Sequence, residues 1–144
     1  MQICILNGPN LNLLGQREPD VYGNTSFDTY LHTLRTQFPH AQIDYFQSNI
    51  EGEIIDAIHR FAPTHSFVIN GGGYSHTSVA IADALRGTQA RFVEVHISNI
   101  YARESFRHQL LFAPYAIGVI TGFGLHSYRL AISYLLNYAD QATN

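Results

Sequence analysis

The chain has 144 residues, 46% hydrophobic and 13% charged, a balance that supports a buried core and excludes a disordered tail. Its formal net charge of -3 argues against a nucleic-acid partner, because phosphates require a basic footprint. All 8 Lys and Arg residues are arginines, which excludes a lysine Schiff base and a Walker-type phosphate loop.

The apolar stretches are interrupted well short of the roughly 18 residues of a membrane span. The opening Met1-Gln2-Ile3-Cys4-Ile5-Leu6-Asn7 carries neither the basic region nor the apolar core of a signal peptide. The single cysteine, Cys4, has no partner for an internal disulfide, which favours a reducing compartment. No HExxH, CxxC or Cys/His cluster has metal-ligand spacing. The expectation is a cytoplasmic enzyme or small-molecule binder whose chemistry comes from Arg, His, Tyr, Asn and carboxylates.

Ile3-Cys4-Ile5-Leu6 reads as a strand, ended by the turn residues Asn7-Gly8-Pro9-Asn10. From Ser26, an N-cap, a helix places Phe27, Tyr30, Leu31, Leu34 and Phe38 on one face until Pro39 stops it. Alternation from Ile43 to Ser48 predicts a second strand, and a helix over 51–61 turns Ile54, Ile55, Ile58 and Phe61 inward. Ser66 to Ile69 is the third strand. A glycine-rich turn and a helix over 77–86 follow, with Thr77 or Ser78 as cap. Phe92 to Ser98 is the fourth strand, Ala116 to Ile120 the fifth, and the last helix covers 125–138. This βαβ succession predicts an α/β fold, a doubly wound five-stranded parallel sheet with helices on both faces, in one compact domain over 1–144. A flavodoxin-like strand order 2-1-3-4-5 is expected, although strand order does not follow from the sequence alone.

Such folds bind ligands beyond the carboxyl ends of the strands. After the first strand, residues 7–23 form a connection longer than the usual 2–6 residues, with Arg17 and Tyr22 close together between Gly15 and Gly23. A guanidinium favours an adjacent phenolate, so this pair suits either a catalytic lid or ordinary packing on a surface loop. After the third strand, Asn70-Gly71-Gly72-Gly73-Tyr74-Ser75-His76 lets backbone approach a ligand, and His76 is either a ligand contact or a histidine satisfied by backbone. On the fourth strand Glu94, His96 and Ser98 share one face, an interruption of the apolar pattern where ligands sit. Glu94 beside His96 suits an oriented general acid, or a buried structural pair. Arg103 and Arg107, four apart, suit an anion or polyol contact on one face of a short helix. Gly122-Phe123-Gly124 reads as a tight turn, Cys4 as an inert core thiol, and Tyr128, Tyr134 and Tyr138 as subunit contacts.

These residues resemble type II 3-dehydroquinate dehydratase along the whole chain. The matching blocks are Ile5-Leu6-Asn7-Gly8-Pro9-Asn10-Leu11-Asn12-Leu13-Leu14-Gly15, Arg17-Glu18-Pro19, Val21-Tyr22-Gly23, Phe46-Gln47-Ser48-Asn49 and Glu51-Gly52-Glu53. They continue through Tyr74-Ser75-His76-Thr77-Ser78-Val79-Ala80, Val93-Glu94-Val95-His96-Ile97-Ser98-Asn99, Arg103 and Phe106-Arg107-His108.

The resemblance implies cofactor-free anti elimination of water from 3-dehydroquinate through an enolate, giving 3-dehydroshikimate. It implies Tyr22 as base, Arg17 as its electrostatic partner, His96 as general acid, Glu94 as its orienter and Asn10 as holder of a water at the enolate oxygen. Asn70, His76, Arg107 and the N–H groups of Ile97 and Ser98 would bind substrate. Arg103 would border the lid, and Asp83 would enter from a neighbouring subunit of a dodecamer, a tetramer of trimers. No metal, nucleic acid or membrane is implied. The sequence departs from the family pattern at Gly71, usually proline, at Gly72-Gly73, commonly alanines, and at Ile50, Tyr101 and Gln109. Two other readings stand beside this one: a ligand-binding or regulatory module that kept the fold and lost turnover, and a flavin or nucleotide carrier, for which no suitable phosphate loop exists.

Overall fold

In the computed structural model, residues 1–16 and 25–142 are described. The chain alternates strands and helices: β1 (Gln2–Asn7), α1 (Phe27–Gln37), β2 (Gln42–Gln47), α2 (Glu51–Phe61), β3 (Ser66–Asn70), α3 (Tyr74–Thr77), α4 (Val79–Gly87), β4 (Phe92–His96), β5 (Gly118–Thr121) and α5 (His126–Ala142). The strands form one parallel sheet in the order β2-β1-β3-β4-β5, the expected flavodoxin-like arrangement. Strand order reverses between β1 and β3, where Asn7 stands opposite Asn70 at the carboxyl ends of both.

The period of two along each strand divides the core. Ile3, Ile5, Val68, Val93 and Val95 face α1 and α5, packing on Phe27, Leu31, Leu34, Ala131, Ile132 and Leu135. Cys4, Leu6, Phe67, Ile69 and Phe92 face α2 and α4, packing on Ile54, Ile58, Ile81 and Leu85. Each fully buried aliphatic or aromatic side chain contributes about 1.5–3 kcal/mol, so both helical layers are held by their apolar stripes.

Three expectations change in detail. The helix expected over 77–86 is two pieces, because Ser78 is extended (φ -92, ψ 96) between α3 and α4. Ser78, not Thr77, is the cap: its Oγ accepts the Ile81 N–H at 3.0 Å and donates to Glu51 Oε2 at 2.6 Å. β4 ends at His96 rather than Ser98, since the backbone bends there toward the loop over β5. Tyr128 is not a surface contact. It is wholly buried against α1 with its ring edge-on to Phe27, whereas Tyr134 and Tyr138 on the same helix are exposed and stack on each other.

Two glycine sites shape the sheet's carboxyl edge. Gly8 donates its N–H to the Asn70 carbonyl at 2.7 Å, and a Cβ on Gly8 would stand 2.3 Å from the Gly71 carbonyl oxygen. Gly122 has φ +97 and packs against Asn99, where a Cβ would meet the Asn99 Cβ at 3.0 Å, so the Gly122-Phe123-Gly124 segment is the tight turn its sequence suggests. Cys4 is buried, and burial pushes its thiol up to about 12. It is an inert core residue.

Candidate active site

The loops after β1, β3 and β4 enclose a pocket of about 330 Å³. It sits over the strand-order reversal, where the doubly wound architecture leaves a crevice between oppositely directed connections. Asn10, Asn70, His76, His96, Ile97, Ser98, Arg103 and Arg107 all line it. Eight of the expected site residues are thus brought together by three separate loops. Arg17 and Tyr22 lie outside the described residues. Asp83 is exposed on α4 and is not part of this pocket's wall, and Glu94 stands directly behind His96.

Asn10 follows the β1 turn with a left-handed backbone (φ 69), a conformation asparagine tolerates better than most residues. Its N–H donates to Asn49 Oδ1 at 3.0 Å, and Gln47 Nε2 donates both to that oxygen at 3.1 Å and to the Gly8 carbonyl at 3.2 Å. Tyr74 Oη donates to the Asn49 carbonyl at 2.8 Å. The end of β2 therefore acts as a splint for the Asn10 turn. Sequence reasoning placed Gln47 and Asn49 in a matching block without a task. Their amide-rich composition at a strand end was the available signal.

His76 and His96 approach with ring centroids 5.9 Å apart and planes at 28°. His76 Nδ1 lies 2.9 Å from the Gln109 carbonyl. A carbonyl only accepts, so Nδ1 carries the hydrogen and Nε2 is the ring atom left for other partners. His76 is satisfied by backbone on one side, as one of the earlier readings expected, and lines the pocket on the other. Burial, reinforced by the cationic Arg107 and by His96, holds its imidazole below the ordinary histidine value. The contact uses the backbone of Gln109, which explains why an unusual side chain is accommodated there.

Glu94 is wholly buried, and its Oε1 lies 2.9 Å from His96 Nε2. The other oxygen, Oε2, is buried with no hydrogen-bond partner among the described residues. A carboxylate taken out of water in this way is costly unless it is paired with a donor that takes on positive charge. The pairing leaves His96 Nδ1 as the nitrogen that can exchange a proton elsewhere. Behind this pair the turn into α5 holds the β4 end: Ser127 Oγ donates to the His96 carbonyl at 3.3 Å and Gly122 N–H at 3.2 Å. Thr121 Oγ1 donates to the Ser98 carbonyl at 2.9 Å.

Arg103 and Arg107 do not share a helix face as their spacing suggested. Arg103 follows the 3-10 turn Ile100–Ala102, and Arg107 sits in the next, Ser105–His108. A carboxylate unites them instead. Glu104 Oε2 lies 2.7 Å from Arg107 Nε and 3.8 Å from Arg103 Nε, and Arg103 Nη1 donates to Ser98 Oγ at 3.3 Å. These two cations hold the Glu104 carboxyl below the usual range, together with its own backbone N–H, the largest cause. Glu104 was missed at the sequence level, although its position between the arginines was the clue. Gly71 also gains a reason: a Cβ there would lie 2.5 Å from both the Phe112 ring and Ser75 Oγ. Phe112 occupies the space beside this turn.

Among the described residues no group of three His, Cys, Asp or Glu side chains is placed to hold a metal ion. No helix among them is long and apolar enough to cross a membrane. The polar pocket, its buried carboxylate–imidazole pair and its rim of arginines and amides have the chemical make-up that acid–base chemistry on a small anion requires.

The comparisons with known proteins make this specific. The family model for class II dehydroquinase matches residues 1–136, and the chain belongs to that family. It is 50% identical over 139 residues to a 3-dehydroquinate dehydratase of an Exiguobacterium species, covering 96% of each chain. It is 48% identical over 141 residues to a 3-dehydroquinate dehydratase of a Synechococcus species, covering 96% of this chain and 97% of the other. Among solved structures, the type II dehydroquinase of Butyrivibrio crossotus superposes with a TM-score of 0.90 at 41% identity, covering 94% of this chain and 97% of that one. That of Propionibacterium acnes superposes with a TM-score of 0.89 at 42% identity, over 93% and 94%.

Proposed function

We infer that the pocket carries out the family's reaction. The chain is a hydro-lyase, a 3-dehydroquinate dehydratase that removes water from 3-dehydroquinate. The observation that carries this reading is the buried Glu94–His96 pair beside the pocket, in a chain related to such dehydratases along nearly its full length.

The chemistry proceeds in two proton transfers and needs no cofactor. The Tyr22 phenolate, favoured by the Arg17 guanidinium, takes the proton from the carbon beside the ketone. The electron pair moves onto the ketone oxygen as an enolate, stabilised through a water held by Asn10. The enolate then collapses and expels the β-hydroxyl, which takes a proton from His96 and leaves as water by anti elimination. Product is 3-dehydroshikimate. Glu94 keeps Nε2 of His96 engaged and balances the charged ring, so the acid proton is delivered from Nδ1. Asn70, His76, Arg107 and the N–H groups of Ile97 and Ser98 hold the substrate's hydroxyls and carboxylate, with Arg103 bordering the lid.

The whole chain works as one catalytic domain within a dodecamer, a tetramer of trimers. Asp83 completes a neighbour's site, a role that its exposure on α4 supports. The enzyme acts in the cytoplasm, in the shikimate route to aromatic amino acids or in quinate breakdown. The test is 3-dehydroquinate turnover with chelator present, followed by ultraviolet absorbance of the conjugated enone. Wild type is expected to turn over, with Tyr22→Phe and His96→Ala both reduced by at least about 100-fold. A folded wild-type protein without turnover refutes the reading and favours a binding module.

A further inference from the structure

Directly beneath the pocket lies a chain of buried polar side chains, two of which, Asn7 and Tyr128, have no part in the reaction described above. Asn7 and Tyr128 are wholly buried and Asn70 is 4% exposed. Three residues remote in sequence meet there: Tyr128 Oη lies 2.8 Å from Asn7 Oδ1 and 3.0 Å from Asn70 Nδ2. Asn70 Oδ1 lies 3.2 Å from the Gly72 backbone nitrogen.

The polarity of this chain follows from one end. A backbone N–H only donates, so the Gly72 N–H requires Asn70 to turn its oxygen toward it. The Asn70 nitrogen then faces Tyr128 and donates one hydrogen. Tyr128, accepting that bond, has its own hydrogen free to donate, and it is directed to Asn7 Oδ1. Asn7 in turn presents its nitrogen to Tyr45 Oη, 3.5 Å away. Burial pushes the Tyr128 hydroxyl far above the ordinary phenol value, so it stays a protonated donor throughout. The second hydrogen of Asn70 Nδ2 remains, and Asn70 lines the pocket.

We propose that Tyr128 is a positioning residue: it clamps the Asn70 amide so that the pocket is offered a fixed N–H donor, suited to a hydroxyl oxygen of the substrate. This rests on the substrate reading above. The sequence assigned Tyr128 to the outer surface, and only the tertiary structure reveals it beneath the site. An amide held at both ends loses little rotational freedom when ligand binds, so the clamp acts on affinity more than on the chemical step.

The experiment is a double-mutant cycle on 3-dehydroquinate turnover. Tyr128→Phe is expected to raise KM about five- to tenfold, the scale of one lost hydrogen bond, with kcat changed less than about threefold. In an Asn70→Ala background the same change is expected to move KM less than about twofold, because the group it positions is gone. A crystal structure of Tyr128→Phe is expected to show the Asn70 amide displaced from Gly72. Asn7→Leu, close in shape, removes the acceptor that orients Tyr128 and provides a second variant should Tyr128→Phe not fold. It is expected to raise KM about two- to fivefold.

Wild-type KM in folded Tyr128→Phe or Asn7→Leu overturns the proposal. So does an equal rise in both backgrounds of the cycle, which marks Tyr128 as a packing residue only. Absence of wild-type turnover defeats the substrate reading instead. The clamp is then judged by the crystal structure, where an unmoved Asn70 amide in Tyr128→Phe overturns it.

Discussion

Replacing Glu94 with glutamine isolates the charge of the partner of His96, the proposed general acid, while keeping its shape. The carboxylate is wholly buried and its Oε1 stands 2.9 Å from His96 Nε2. A hydrogen bond to a charged group contributes about 1.5–3 kcal/mol, against roughly 1 kcal/mol for a neutral one. Glutamine can turn its carbonyl to His96 and keep an acceptor, but it no longer balances a protonated ring. Its amide nitrogen would then take the position of Oε2, which has no hydrogen-bond partner among the described residues. Exchanging the charge-assisted bond for a neutral one loses about 0.5–2 kcal/mol, which predicts a fall in kcat of about 2- to 30-fold, at 1.36 kcal/mol per factor of ten. The enone absorbance assay measures this directly. A second readout separates the steps: exchange of the substrate's α-proton with deuterated solvent, followed by NMR, reports the base and enolate without the acid. Exchange is expected to persist in Glu94→Gln while dehydration slows. A folded Glu94→Gln enzyme with kcat within twofold of wild type refutes the reasoning, as does equal loss of exchange and dehydration.

Other outcomes follow from the packing and the charges. Gly8→Ala forces a Cβ to 2.3 Å from the Gly71 carbonyl oxygen. Overpacking against backbone is expected to cost about 2–3 kcal/mol, measured as a lower denaturant midpoint, and to raise KM by shifting the Asn70 turn. The His65 imidazole, 2.7 Å from Asp44, holds that carboxyl below the usual range. Its stabilisation is therefore present above the unfolded carboxyl's value of about 3.9 and is lost as pH falls through the lower folded value. Because Asp44 is 36% exposed, Asp44→Asn is expected to lower stability at pH 7 by no more than about 1 kcal/mol, with the difference fading by about pH 2 in thermal scans. Cys4, buried with its thiol raised to about 12, is expected to resist iodoacetamide at pH 8 in the native protein and to react at once in denaturant.

The fold was legible because its physical signals are local. Ser26 caps α1 through its Oγ, which accepts the Thr29 N–H, and the apolar positions of α1 and α2 repeat at helical spacing. The βαβ alternation leaves few ways to build the sheet, so the parallel arrangement followed as well. The Glu94–His96 pair was legible for a similar reason. Both side chains leave one strand on one face, and a polar pair on a buried parallel strand needs a cause. Where local signals were ambiguous, the expectations shifted. Thr77 and Ser78 are both good caps, and only the Ser78 bond to Glu51, 27 residues away, singles one out. Arg103 and Arg107 have helical spacing, but the chain there makes two 3-10 turns, and Glu104 rather than a shared face brings them together.

By itself, then, the sequence determined the class of the fold, the order of its elements, the exclusion of lysine chemistry, and the family to which the chain belongs. Those follow from periodicity, capping and composition, which act over a few residues, and from motifs that can be matched block by block. What the tertiary structure alone decided are the meetings of distant groups. Asn7, Asn70 and Tyr128 join beneath the pocket, Gln47 and Asn49 brace Asn10, and the Gln109 carbonyl fixes His76. Hydrogen bonds across long sequence separations depend on how layers pack and in which direction each donor points. A linear pattern carries neither, and for that reason Tyr128 read as a surface residue until the sheet and its last helix were brought together.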